Sequence, residues 1–259
     1  MFILFGAMDS VTGHTIVVTG GASGIGLALA IRFLQSGNTV IIVGRRADKL
    51  QEAKTAHPGF VTVVGDVGTA QSREALFLLL TTQYPAIDVF VNNAGIQRSV
   101  DITQGVTPDW TTIESEININ YAGVVHTSLL WVPFFVKKPF AAIINVTSGL
   151  SFAPLASVPV YSSTKAALHS FTWSLRYQLA STPIKVIEIL PPAVDTDLQA
   201  PGLHTFGVNV DEFADSIFAR LAAGEDEIGF GMAENSRVAF RNAFEKGFTA
   251  LNAQVSFKK

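Results

Sequence analysis

Thr19-Gly20-Gly21-Ala22-Ser23-Gly24-Ile25-Gly26 follows the β-branched run His14–Val18 and opens the helical Leu27-Ala28-Leu29-Ala30. Strand, glycine turn and helix in that order make a corner suited to phosphate. Gly20 and Gly24 let the backbone turn tightly and approach a pyrophosphate, and Gly26 lets helix and strand pack closely. The helix N-terminus, entered through Ser23 and Ile25, faces the negative charge. Five of these residues, Gly20, Ser23, Gly24, Ile25 and Gly26, are therefore candidate cofactor-binding positions.

Outward from this corner, short β-branched runs alternate with longer segments of helical period. The spacing predicts strands over His14–Val18, Thr39–Val43, Phe60–Val64, Ile87–Val91, Ala141–Val146, Ile184–Leu190 and Glu227–Phe230. Helices are expected near Ile25–Gln35, Ala47–Ala56, Gln71–Gln83, Trp110–Val136, Val160–Ala180, Asp211–Ala223 and Ala233–Asn252. This alternation is that of an α/β, Rossmann-like, doubly wound fold with a seven-stranded, mainly parallel sheet and helices on both faces. No linker interrupts it, so residues 8–259 read as one domain. Met1-Phe-Ile-Leu-Phe-Gly-Ala7 reads as an N-terminal extension without chemistry, lacking a signal peptide's basic flank and too short to cross a bilayer.

Composition narrows the function classes. The 259 residues hold 18 Lys+Arg, 21 Asp+Glu and no Cys, with 48% apolar and 15% charged residues and a net charge of −3. Such a chain has the core-forming capacity that disordered sequences lack, and without Cys it has neither disulfides nor thiolate chemistry. Neither sign of charge is clustered, so no electrostatic footprint for nucleic acid or anionic lipid exists. No apolar run reaches membrane-spanning length, and a cytoplasmic location is the default expectation. The five His show no metal-ligand spacing, so no metal is expected; only His204 stands near the expected pocket. Trp110–Val136 and Val160–Ala180 are apolar around much of their circumference, which points to cover by another subunit in a homodimer or homotetramer.

The second strand ends in Ile42-Val43-Gly44-Arg45-Arg46. Gly44 stands where a dinucleotide site normally carries an acid for the ribose hydroxyls, and two guanidinium groups follow. Loss of the acid removes repulsion of a 2′-phosphate, and Arg45 and Arg46 can bind one, so NADP(H) is preferred, with NAD(H) possible. Asp66, followed by Val67 after the third strand, is placed either to accept a hydrogen bond from an adenine amino group or to cap a turn.

Tyr161-Ser-Ser-Thr-Lys165 puts a phenol and an ammonium one turn apart on a helix. A nearby cation stabilises phenolate and makes an otherwise weak acid useful at neutral pH. At the end of the fifth strand, Asn145-Val-Thr-Ser148 offers a hydroxyl to hold a carbonyl oxygen. Ser148 and the glycine turn both belong to the carboxyl edge of the sheet, where ligands bind.

Together these motifs resemble the short-chain dehydrogenase/reductase family. The resemblance runs from Thr15 to Leu198 through Thr19-Gly-x-x-x-Gly24-x-Gly26, Asn92-Asn-Ala-Gly95, Asn120-x-x-Gly123, Ser148 and Tyr161-x-x-x-Lys165. Gly44-Arg-Arg, Ile96-Gln-Arg98 and Pro191-Pro-Ala-Val-Asp-Thr-Asp197 look like the branch of bacterial and fungal oxidoreductases related to one encoded beside D-alanylation genes. The resemblance implies that Tyr161 exchanges a proton with the substrate oxygen as hydride moves to or from a nicotinamide, while Ser148 orients that oxygen. Lys165 is implied to bind the nicotinamide ribose and depress the Tyr161 pKa, and Asn120 to position a water linking Lys165 to solvent. Asp66, Val67, Asn93, Ala94, Gly95, Tyr161, Lys165, Pro191, Val194 and Thr196 are implied to contact the cofactor, with Asn92 also lining its cleft. One departure stands out: Pro192 replaces the family's usual Gly, so the loop after the sixth strand must take another course.

The same resemblance places the substrate among Leu150, Phe152, Leu155, Leu203 and Phe206, with Arg98 and His204 as polar exceptions and residues 198–210 as a lid. That mainly apolar lining favours a hydrophobic ketone, diketone or aldehyde. The expectation is an NADP(H)-dependent carbonyl reductase or alcohol dehydrogenase. Its rivals are an NAD-dependent secondary-alcohol dehydrogenase and a non-catalytic, dinucleotide-binding redox sensor, which would not need Ser148, Tyr161 and Lys165 together.

Overall fold

The computed structural model describes residues 11–105, 109–198 and 205–252, with side chains to residue 241; the predicted extension over residues 1–7 lies outside the described residues. Seven strands form one sheet: β1 Thr15–Thr19, β2 Thr39–Gly44, β3 Val61–Val64, β4 Val89–Asn92, β5 Ala141–Val146, β6 Ile184–Leu190 and β7 Glu227–Gly229. Their order is β3-β2-β1-β4-β5-β6-β7 and every pairing is parallel, so the sheet is wholly and not just mainly parallel.

Residues that alternate along each strand feed opposite faces, because successive side chains of a strand point apart. Ile16, Val18, Ile42 and Ile144 pack on one face with Leu29 and Phe33 of α1 (Gly24–Gln35) and Phe213 and Ile217 of α7 (Val210–Ala222). Val17, Ile41, Phe90 and Ile143 pack on the other with Leu80 of α3 (Ala70–Gln83), Trp131 and Phe135 of α5 (Gly123–Phe135) and Leu175 of α6 (Pro159–Leu179). The remaining helices are α2 (Ala47–Ala56), α4 (Trp110–Ile117) and α8 (Gly231–Asn252).

The predicted single helix Trp110–Val136 is three pieces. Between α4 and α5 the backbone widens into a π-helical turn, Asn118–Ala122, a feature that frequently marks functional sites. At Gly123 a Cβ would stand 2.9 Å from the Asn118 carbonyl oxygen and 3.0 Å from that of Val67. The chain is thus pressed against the loop after β3, and the widened turn carries Asn120 to full burial.

A buried amide network ties the two halves of the molecule. Thr127 Oγ1 of α5 donates to Asn92 Oδ1 (2.9 Å), Asn92 Nδ2 to Asn145 Oδ1 (2.9 Å), and Asn145 Nδ2 to Thr172 Oγ1 of α6 (3.0 Å). Asn92, expected in the cleft, is instead a core residue: its amide is buried and bonded to Asn145 of β5 and Thr127 of α5. Among the described residues no helix is long and apolar enough to cross a membrane.

Trp131 is fully buried, with Phe77, Phe90, Phe134 and Phe135 around it at ring-centre distances of 4.8–5.6 Å. Trp131→Ala removes this filling, and chemical denaturation is expected to show a loss of about 3–5 kcal/mol with an unchanged denaturant slope.

Candidate active site

The glycine turn after β1 is shaped by two separate needs. Gly20 and Gly24 hold φ of +65° and +54°, which L side chains rarely adopt. Gly26 is required by contact: a Cβ there would lie 2.3 Å from Asn93 Nδ2 and 2.5 Å from the Gly20 carbonyl oxygen. Close packing at Gly26 is therefore against the turn's own backbone and Asn93. Asn93 Nδ2 donates to the carbonyls of Thr19 (2.9 Å) and Gly20 (3.3 Å), and Thr19 Oγ1 accepts from the amides of Asn93 (3.1 Å) and Ala94 (3.2 Å). Ser23 precedes α1 in extended conformation without a side-chain cap, leaving the first-turn amides to an anion.

Gly44 closes β2 against Leu50, and Arg45 and Arg46 stand exposed beside the turn, with Arg46 Nη2 donating to Ser23 Oγ at 3.4 Å. Asp66 caps its own loop, its Oδ1 accepting from the Gly68 amide at 2.9 Å, while still bordering the crevice with Val67. Beyond β6, Pro191, Val194 and Thr196 line the same crevice, and a Cβ on Gly24 would lie 3.4 Å from Thr196. The segment accommodates Pro192 without leaving ordinary backbone space: among the described residues only glycines hold positive φ. A bridge between Val194 and Val208 anchors its far side.

At the other end of the crevice stand the reacting groups. Ser148 follows β5, and its Oγ accepts from the Leu150 amide at 3.1 Å. Tyr161 and Lys165 lie one turn apart on α6, both buried, with Lys165 Nζ 5.5 Å from the phenol ring centre. The ammonium donates to the Val146 carbonyl at 2.8 Å. Burial dominates both titrations. It pushes the Tyr161 phenol up, against the pull of the Ser148 hydroxyl that faces it, and brings Lys165 down to about 8. Burial is the largest influence on the phenol, so Tyr161 lies above and not below its ordinary value, while the Lys165 ammonium is engaged with the Val146 carbonyl.

Asn120 lies beside this pair, but its side chain is committed to the chain itself. Its Oδ1 accepts from the Ile96 amide (2.9 Å), and its Nδ2 donates to the Ile96 carbonyl (2.8 Å) and Thr164 Oγ1 (3.3 Å). The amide thus clamps the segment after β4 onto α6.

The crevice runs continuously from Gly20 past Gly95 and Ser148 to Tyr161 and has a volume of about 1320 Å³. Its outer end is apolar, with Ile96, Leu150, Leu155 and Phe206 on the walls. Two expected lining residues are elsewhere. Phe152 is absent from the crevice wall and instead stacks on Phe240 of α8 at 6.1 Å and lies edge-on to His169 at 4.7 Å, aromatic contacts that hold the ring away from the cleft. Arg98 does not line the crevice and instead faces Glu116 of α4. Leu203 and His204 lie outside the described residues, as does most of the stretch 198–204 of the expected lid.

Lining residues that went unread in the sequence include Lys49 and Glu52 of α2 and Met232, Ala233 and Ser236 of α8, since nothing in their spacing tells that these helices border the crevice. Glu116 could have been found: with Ile113 and Asn120 it occupies a buried stripe of helical period, where an acid is out of place.

The family model described as short chain dehydrogenase matches residues 14–205. The uncharacterized oxidoreductase DltE of Bacillus subtilis strain 168 is 43% identical over 248 residues, covering 94% of this chain and 98% of that protein. An uncharacterized oxidoreductase of Staphylococcus epidermidis is 34% identical over 192 residues, covering 74% of this chain and 82% of its own length. Among solved structures, a short chain dehydrogenase from Burkholderia cenocepacia J2315 in complex with NADP matches with a TM-score of 0.76 and 26% identity, over 96% of this chain and 100% of that one. A short-chain dehydrogenase from Sphingobium yanoikuyae in complex with NADPH gives a TM-score of 0.79 at 24% identity, over 95% and 98%. The glycine turn, the wholly parallel sheet and these matches agree: the chain belongs to the short chain dehydrogenase family of oxidoreductases.

Proposed function

We propose that this protein is an NADP(H)-dependent oxidoreductase that reduces a hydrophobic ketone, diketone or aldehyde to an alcohol, or runs the reverse reaction, with Tyr161 as general acid and base. The observation that carries this reading is the meeting of the Tyr161 phenol, the Ser148 hydroxyl and the Lys165 ammonium, in one buried corner at the end of a crevice that starts at the glycine turn.

The bare amides at the start of α1 and the positive-φ glycines fit a pyrophosphate, and Arg45 and Arg46 fit a phosphate on the adenosine ribose. The relatives from Burkholderia and Sphingobium, whose structures contain NADP and NADPH, support a phosphorylated cofactor. A bound nicotinamide supplies or accepts hydride; the protein supplies orientation and the proton. Ser148 holds the substrate oxygen, Tyr161 gives it a proton as the carbonyl carbon gains hydride, and Lys165 keeps positive charge beside the phenol through the change. The apolar outer walls, Ile96, Leu150, Leu155 and Phe206, hold the substrate's carbon skeleton and exclude water. We place the enzyme in the cytoplasm as a homodimer or homotetramer, with the exposed Leu129 and Val136 on and beside α5 supporting subunit cover.

Three measurements check this reading. Tyr161→Phe is expected to lower kcat for ketone reduction by roughly 10² or more while NADPH still binds, as removal of a positioned acid does. Arg45→Ala together with Arg46→Ala should raise KM for NADPH about tenfold to a hundredfold and leave KM for NADH nearly unchanged, since charge-assisted bonds contribute about 1.5–3 kcal/mol. Across a substrate panel, aryl and alkyl ketones should exceed phosphorylated or short hydrophilic carbonyls in kcat/KM; the opposite order removes the proposed substrate class.

A further inference from the structure

Among the described residues Glu116 of α4 is a buried acid whose two carboxyl oxygens both lack a close hydrogen-bond partner. Leaving a buried carboxylate unpaired is costly, so such a group either binds something or keeps its proton. The charged and titratable groups that face it are Arg98, from the segment after β4, and Tyr161 and Lys165, from α6. Arg98 Nη1 is likewise buried without a hydrogen-bond partner among the described residues. Glu188 of β6 also acts on Lys165, but it is already held by Thr147 Oγ1 at 2.7 Å and by His169 Nδ1 at 2.9 Å. Glu116 has only Arg98, whose backbone N–H and guanidinium both draw it toward the carboxylate without closing a tight hydrogen bond.

We propose that Glu116 is a positioning residue for the Tyr161–Lys165 pair, and that its carboxyl takes up and releases a proton so as to switch the charge facing the phenol. This rests on the reading of Tyr161 as the acid. As a neutral carboxylic acid, Glu116 leaves Lys165 as the nearest charge to the phenol on α6. As a carboxylate it opposes that cation and holds the phenol's proton more tightly. Burial brings Glu116 up to about 7, against the pull of Arg98 and Lys165, so both states are within reach near neutrality. The sign follows: as pH rises through that value the carboxylate forms, Tyr161 becomes a weaker acid, and ketone reduction slows.

Two readouts test this on the full-length chain. Carbon NMR of protein carrying carboxyl-labelled glutamate should show one carboxyl titrating near neutrality, absent from E116Q and moved to higher pH in Lys165→Met, where the stabilising cation is gone. In parallel, kcat for NADPH-dependent reduction of an aryl ketone should fall about fivefold from pH 6 to pH 8 in the wild type; E116Q loses the part of that fall centred on the carboxyl and keeps only the part set by deprotonation of Lys165, while E116D restores the first part at a shifted midpoint. Superimposed pH profiles overturn the proposal, as does a spectrum without a near-neutral carboxyl that E116Q removes, or one that ignores Lys165→Met. A wild-type chain that reduces no carbonyl defeats the proposed function instead, and the carboxyl titration with its response at Lys165 still decides the charge exchange.

Discussion

The site depends on the break in strand order between β1 and β4. After β3 the chain crosses over β1 and continues on its other side, so the connections following β1 and β4 leave toward opposite faces and part at the carboxyl edge. The crevice opens in that gap. Holding its floor together falls to Asn93 and Thr19, which bond the glycine turn to the segment after β4 at 2.9–3.3 Å. Gly26 is tied to the same arrangement, because any side chain there would displace the Asn93 amide. Shape at the phosphate end is therefore a property of two crossovers meeting, and neither would hold it alone.

At the reacting end the controlling term is desolvation. Tyr161, Lys165 and Glu116 are all buried, and burial moves each toward its uncharged form. Mutual attraction between the lysine and the carboxylate works against that drift. A closely balanced set of charges gives a site whose protonation responds to small changes in what lies beside it. Behind it, Glu188 is bonded by Thr147 and His169, and Asn145 is bonded from both sides by Asn92 and Thr172. These satisfied polar groups fix the end of β5 from which Ser148 projects, so the hydroxyl's position is set by packing and hydrogen bonding well away from the chemistry.

Much of this was legible in the residues. Alternating β-branched and helical runs specify the strands to within one or two residues, because a fully covered parallel strand must be continuously apolar and a helix between strands must be apolar on one side. The glycine turn, Ser148 and the Tyr161–Lys165 spacing carry their chemistry locally: positive φ at Gly20 and Gly24, and one helical turn between phenol and ammonium, follow from short-range geometry. Gly44-Arg45-Arg46 belongs to the same class, since loss of an acid and gain of two bases is visible without any fold.

Only the tertiary structure decided the rest, and in each case through a partner distant in the chain. The helix expected over Trp110–Val136 breaks into α4, a π-helical turn and α5 where Gly123 meets Val67, a contact that helical periodicity does not encode. Phe152 leaves the cleft for Phe240 and His169, and Asn92 leaves it for Asn145 and Thr127. Acidity, above all, could not be read from spacing: the i, i+4 pair promises a cation beside a phenol, but burial and the company of Glu116 and Val146 determine what that cation does. Local sequence determines which groups the chain carries and how its elements begin; solvent exclusion and long-range contact, which exist only once the sheet has closed, determine their charge.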